Sequence, residues 1–126
     1  MRKLILALLL MAAVYIQAKA PGEKYEGYLF AYFEGAGQRH LMEQLRFAVS
    51  ENAINWTALN KNQPVLSSAT ISQTGGIRDP HLLRGEDGRF YLTATDMFTI
   101  KNGWDTNPGI VMLRSENLID WKHSII

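Results

Sequence analysis

Cysteine is absent from the chain. That gap excludes disulfides, zinc–thiolate sites, thiol nucleophiles and lipid attachment through a thiol. Histidine is scarce: His40, His81 and His123 show no metal-ligand spacing, so no metal site is predicted from them. Beyond the first twenty residues there is no long apolar run and no convincing amphipathic helix. The whole chain, 126 residues at 47% hydrophobic and 20% charged, fits one small soluble globular domain.

The opening twenty residues differ from the rest. Met1-Arg2-Lys3 is a positive start, Leu4 to Val14 is apolar, and Ala18-Lys19-Ala20 supplies small residues at cleavage spacing. This reads as a secretory signal over residues 1–20 and predicts a periplasmic or secreted protein. The apolar run is shorter than the about 20 residues a membrane-spanning helix needs. Pro21 directly after Ala20 leaves the cut site open by a few residues. Removal of this segment takes away Arg2, Lys3 and Lys19 and leaves 10 basic against 12 acidic side chains, a net charge of −2. Such a balance gives no footprint for nucleic acid or an anionic membrane. A neutral substrate such as a sugar fits it better, and a monomer is expected.

An internal repeat is the most informative feature. Phe47-Ala48-Val49-Ser50-Glu51-Asn52-Ala53-Ile54-Asn55-Trp56 returns as Met112-Leu113-Arg114-Ser115-Glu116-Asn117-Leu118-Ile119-Asp120-Trp121, with Ser50 and Ser115 65 residues apart. A fixed period points to a repeated supersecondary unit. Gly27–Phe33 and Gly88–Ala94 precede the two copies, and Phe90, Leu92 and Ala94 alternate with Tyr91, Thr93 and Thr95. Period two and intervening Gly, Asn, Asp and Pro predict strands and turns. The chain after the signal is therefore expected to be all β.

The second unit parses as strands at 80–84, 89–95, 110–115 and 121–126, with a hairpin turn at Gly85–Gly88. The first parses as 28–33, 45–50 and 56–66, without a first strand. Four-stranded antiparallel units repeated radially make a β-propeller, which needs four or more blades. About two blades are present. Two alone leave open sheet edges, so residues 21–126 are expected to be the N-terminal part of a longer propeller. Because antiparallel strands alternate direction, Asp79, the Glu34–Gly37 region and the loop 96–108 are predicted to share one mouth of the ring. The Ser-Glu-Asn turns fall on the other.

The series Gly76-Ile77-Arg78-Asp79-Pro80, then Asp87-Gly88-Arg89-Phe90-Tyr91-Leu92, then Arg114-Ser115-Glu116-Asn117-Leu118-Ile119-Asp120-Trp121 resembles glycoside hydrolase family 43. Those arabinosidases and xylosidases are built on five-bladed propellers. The resemblance implies three acids around a pocket: an aspartate base, a second aspartate that tunes pKa, and a glutamate acid. It makes Asp79 the base, Pro80 helping to fix it at the strand entry. Glu23, Glu26 and Glu34, the carboxylates upstream, lack an Asp-Pro context. Two other mappings remain: Asp79 as the second aspartate, or as the transition-state stabiliser of a family 32-like fructan hydrolase, where Arg-Asp-Pro also occurs. A carbohydrate-binding propeller without catalysis is the rival from another class. The general acid is expected in a later blade, so these residues alone should be inactive. By resemblance an axial metal ion is allowed, but no ligand here identifies it and no cofactor is predicted.

Arg78 is expected to bind substrate, to keep Asp79 ionised or to point outward. Asp96, ending a strand, is read as a sugar-hydroxyl contact or a loop cap, and Trp104 as a sugar-stacking or loop-packing aromatic. Glu34, Glu86 and Asp87 are read as loop and hairpin residues. Trp56 and Trp121 are read as packing between blades.

Overall fold

The computed structural model describes residues 26–126; the signal expected at 1–20 lies outside them. Strands β1 (Tyr28–Tyr32), β2 (Arg46–Ser50) and β3 (Thr57–Ala58) form a three-stranded sheet in that order. Strands β4 (Ile77–Arg84), β5 (Phe90–Asp96), β6 (Gly109–Ser115) and β7 (Trp121–Ile125) form a four-stranded one. All pairings are antiparallel and follow chain order, the pattern of partial propeller blades. Two one-turn helices, α1 (Ser68–Ile71) and α2 (Thr99–Asn102), sit in the links.

Alternation drives the packing. Leu92, Ala94 and Asp96 on β5 and Val111, Leu113 and Ser115 on β6 are buried at every second position. Ile77 joins them, and Ala31, Leu45, Phe47 and Ile71 close the cluster from the other side. The core thus lies between the sheets. Trp121 reaches across to Phe47, with ring centroids 6.0 Å apart, as a between-blade residue should. Trp56 does not: it leans on Phe30 of its own sheet at 5.4 Å and is 41% exposed.

The repeat has a physical cause. In the first copy the Asn52 side-chain oxygen accepts the backbone N–H groups of Ile54 and Asn55. In the second, Asn117 does the same for Ile119 and Asp120. Ser50 and Ser115, both buried, accept the Asn52 and Asn117 backbone N–H in turn. Each turn carries a left-handed residue, Ala53 (φ 59) and Leu118 (φ 65). A side chain there is strained by roughly 1 kcal/mol. Ala53→Gly is accordingly expected to stabilise the fold by about 0.5–1 kcal/mol, read as a higher melting temperature.

Three boundaries differ from the sequence reading. The strand expected over 56–66 ends at Ala58, because Asn60, Lys61 and Asn62 are all left-handed (φ 51, 54 and 61) and curl the chain into a left-handed turn. The Ser68–Ile71 and Thr99–Asn102 links make single helical turns in place of plain loop. The first strand of the second unit opens at Ile77 rather than Pro80, since Ile77 and Arg78 already pair with Asp96 and Thr95.

The β4–β5 hairpin is closed by Asp87. Its carboxylate accepts the Tyr91 hydroxyl at 2.8 Å, the Arg89 backbone N–H at 3.0 Å and the Arg89 guanidinium at 3.1 Å. The Tyr91 bond foremost, then the Arg89 amide, holds the Asp87 carboxyl below its ordinary 3.8. A depressed folded value stabilises the fold above the unfolded carboxylate range, and this is lost as pH falls through the folded value. Asp87→Asn should therefore melt below wild type at neutral pH and alongside it in acid, once Asp87 itself is protonated, as paired melting curves at the two pH values would show.

Candidate functional site

Asp79 sits where β4 departs from regular pairing. Arg78 pairs with Thr95 and His81 with Thr93, so Asp79 and Pro80 together oppose Ala94 in a two-against-one bulge. Pro80 brings no N–H to the ladder; β4 is a sheet edge, where proline is tolerated. Asp79 is left-handed, φ 50. Bulges of this kind favour glycine at such a position, and a residue before proline is normally driven to extended backbone. The chain keeps an aspartate there, exposed, and no hydrogen bond or ion pair from the described residues engages its carboxylate.

The glycines before it serve geometry. Gly75 is left-handed (φ 90), and a Cβ on Gly76 would lie 2.6 Å from the Met97 carbonyl oxygen. The strand entry thus passes close against the start of the loop 97–108.

Arg78 turns away from Asp79. Its guanidinium donates to Glu43 Oε1 at 2.8 Å. The same group lies between two aromatic rings, 4.7 Å from the Phe33 centroid and 4.5 Å from that of Trp104, within cation–π range of both. Trp104 is 69% exposed beyond that contact.

Asp96 lies inside the fold. It is in phase with Leu92 and Ala94, at 0% exposure, and accepts the Gln73 N–H at 2.7 Å, the Thr74 N–H at 3.0 Å and the Thr74 hydroxyl at 2.6 Å. Of its two readings the hydrogen bonds show the loop cap. Glu34 is likewise structural: it accepts from Asn62 at 2.8 Å and pairs with buried Arg46 at 3.3 Å. Burial, then the Glu34 charge, raises the neighbouring Tyr32 hydroxyl above its ordinary value, against the opposing pull of Arg46.

Glu43 was missed by sequence reasoning. It is fully buried and left-handed (φ 54), and besides Arg78 it accepts the Thr99 N–H at 2.8 Å and the Thr99 hydroxyl. Its carbonyl accepts the Ile77 N–H at 2.7 Å. The signal in the sequence is faint: Glu43-Gln44 directly precedes the apolar Leu45, outside the repeat.

The site therefore gathers Phe33, Glu43, Arg78, Asp79, Thr99 and Trp104 from the β1 end, the β2 entry, β4 and the long loop, at one end of both sheets. Two left-handed non-glycine residues among six is the kind of backbone strain that collects at functional sites. Among the described residues no cluster of three or more His, Asp or Glu is placed to hold a metal ion. A groove of about 690 Å³ lies elsewhere, lined by Tyr28, Val49, Asn52 and Thr57 near the repeated turn, away from Asp79.

A family profile described as "Probable glycosyl hydrolase domain", of the family 43-related type, matches residues 23–126. No significant match to a curated protein was found. The chain is similar in fold to the crystal structure of a glycosyl hydrolase from Bacteroides ovatus, solved at 2.30 Å, with a TM-score of 0.56 and 20% identity. That likeness covers 80% of this chain and 29% of the other, so the chain spans less than a third of its neighbour's length. The chain belongs to the family 43-related glycosyl hydrolase domains.

Proposed function

We propose that the protein is an exported glycoside hydrolase acting on arabinose- or xylose-containing carbohydrate, with Asp79 as the general base. The observation that carries this reading is the Asp79 carboxylate. It is exposed and uncommitted, and a bulge holds it in a backbone conformation that costs stability. The other carboxylates nearby, Glu43, Asp96 and Glu34, are taken up by protein donors.

In the inverting reaction one carboxylic acid protonates the leaving glycosidic oxygen while a carboxylate activates water on the opposite sugar face, about 6.5–9.5 Å away. Asp79 takes the water's proton as the water oxygen bonds to the anomeric carbon. The acid that protonates the leaving oxygen in the same step is a second carboxylic acid on the opposite side of the sugar. A net charge of −2 after loss of the signal suits a neutral substrate. The test is hydrolysis of arabinoxylan and aryl arabinosides and xylosides by the full-length protein. Turnover that vanishes in Asp79→Asn with the melting temperature intact supports the assignment; turnover that survives the substitution overturns it. Sugar binding without turnover by the wild type would favour the binding-propeller alternative.

A further inference from the structure

Trp104 lies on the loop 97–108, yet its position is fixed twice over by one residue. From below, its ring rests on the Arg78 guanidinium, and that guanidinium is drawn into place by Glu43 at 2.8 Å. From behind, Glu43 accepts both the backbone N–H and the hydroxyl of Thr99, the first residue of α2. That turn runs to Asn102, and Gly103, left-handed at φ 76, hands the chain to Trp104. A buried carboxylate with three donors is rigid, and charge-assisted bonds of this kind are the stronger ones. Phe33 closes the far side of Arg78 at 4.7 Å, so the guanidinium has little room to swing.

We infer that Glu43 is a positioning residue: through Arg78 and Thr99 it fixes the Trp104 indole over the Arg78 guanidinium, with its exposed face presented to a sugar ring. The positioning itself stands on the geometry; the sugar rests on the hydrolase reading above. An indole held in advance stacks on the apolar face of a sugar without first losing its own rotamer freedom. Glu43 touches no substrate in this arrangement. Its effect is felt in substrate affinity more than in the chemical step.

The experiment uses the full-length protein labelled with 5-fluorotryptophan, with the Trp104 ¹⁹F resonance assigned by Trp104→Phe. Trp121, packed on Phe47, reports on the core in the same spectrum. In Glu43→Gln the Trp104 resonance is expected to move toward the free-indole position while that of Trp121 stays. KM for xylo- and arabino-oligosaccharides should rise by roughly tenfold, a larger change than the fall in kcat. Where Glu43→Gln does not fold, Arg78→Met cuts one route and Thr99→Val removes the hydroxyl half of the other while its backbone N–H bond stays; each should shift Trp104 alone, Arg78→Met by more. An unmoved Trp104 resonance in these folded variants overturns the positioning role. A released Trp104 with unchanged KM overturns the sugar-stacking role. A wild type without turnover, in which Glu43→Gln still releases Trp104, sinks the hydrolase reading and upholds Glu43 as the residue that places the indole.

Discussion

Asp79→Gly should make the fold more stable and, on the proposed hydrolase reading, cost it nearly all of its turnover. Asp79 is held at φ 50 directly before Pro80, a conformation that L-residues adopt at a cost and glycine adopts freely. Replacement by glycine is expected to add about 1 kcal/mol, less than the upper range of such strain because aspartate tolerates left-handed backbone better than most residues. No partner is lost with the side chain, since its carboxylate is uncommitted among the described residues. Turnover, by contrast, should fall by about 10²–10⁴-fold where Asp79 is the general base proposed above. Asp79→Asn separates the two effects: it keeps the shape and the backbone strain, so its melting temperature should stay near wild type while its turnover falls as far as that of the glycine variant. Thermal melts and arabinoxylan hydrolysis on the same three full-length proteins decide the matter. A glycine variant that melts lower than wild type would show that the bulge depends on the Asp79 side chain, and the strain argument would be wrong.

The opposite outcome is expected at Asp96, where stability and not chemistry should suffer. Asp96→Ala removes the acceptor for two backbone N–H groups and the Thr74 hydroxyl at a fully buried position. Unpaired buried donors cost about 1–3 kcal/mol each. A total loss of about 3–5 kcal/mol follows, enough to lower the melting temperature of a domain this size by on the order of 15–30 °C. Asp96→Asn keeps one carbonyl oxygen and should lose about half as much. The loop so released, Gln73 to Gly76, is the entry to β4, and Thr74 also bonds the Gly76 carbonyl. Urea unfolding of the two variants would test this ordering; equal stability of Asp96→Ala and wild type would mean that solvent replaces the carboxylate in the loop.

The contrast between the two aspartates shows how far the sequence could be read. Both stand where a strand meets a loop, Asp79 near the start of β4 and Asp96 at the end of β5. Phase separates them: Asp96 continues the inward alternation of Leu92 and Ala94, whereas Asp79 stands at a break in pairing that appears only once the β5 register is known. The third strand of the first unit is shorter than its place in the repeat predicts for a related reason: successive left-handed residues at Asn60, Lys61 and Asn62 turn the chain before pairing can extend.

Local pattern is enough for the all-β class, the two units and their turns. These rest on local rules: alternation with period two, asparagine side chains that satisfy neighbouring amides, and the direction reversal of antiparallel strands. Only the tertiary structure decided which side chains share one end of both sheets and in what state. Glu43 meets Arg78 35 residues away and Thr99 56 residues away. Its worth lies in burial and in partners brought from distant strands, which no local pattern encodes. The physical reason is that a buried carboxylate is tolerated only when its hydrogen bonds are complete, and their completion is a property of the assembled fold.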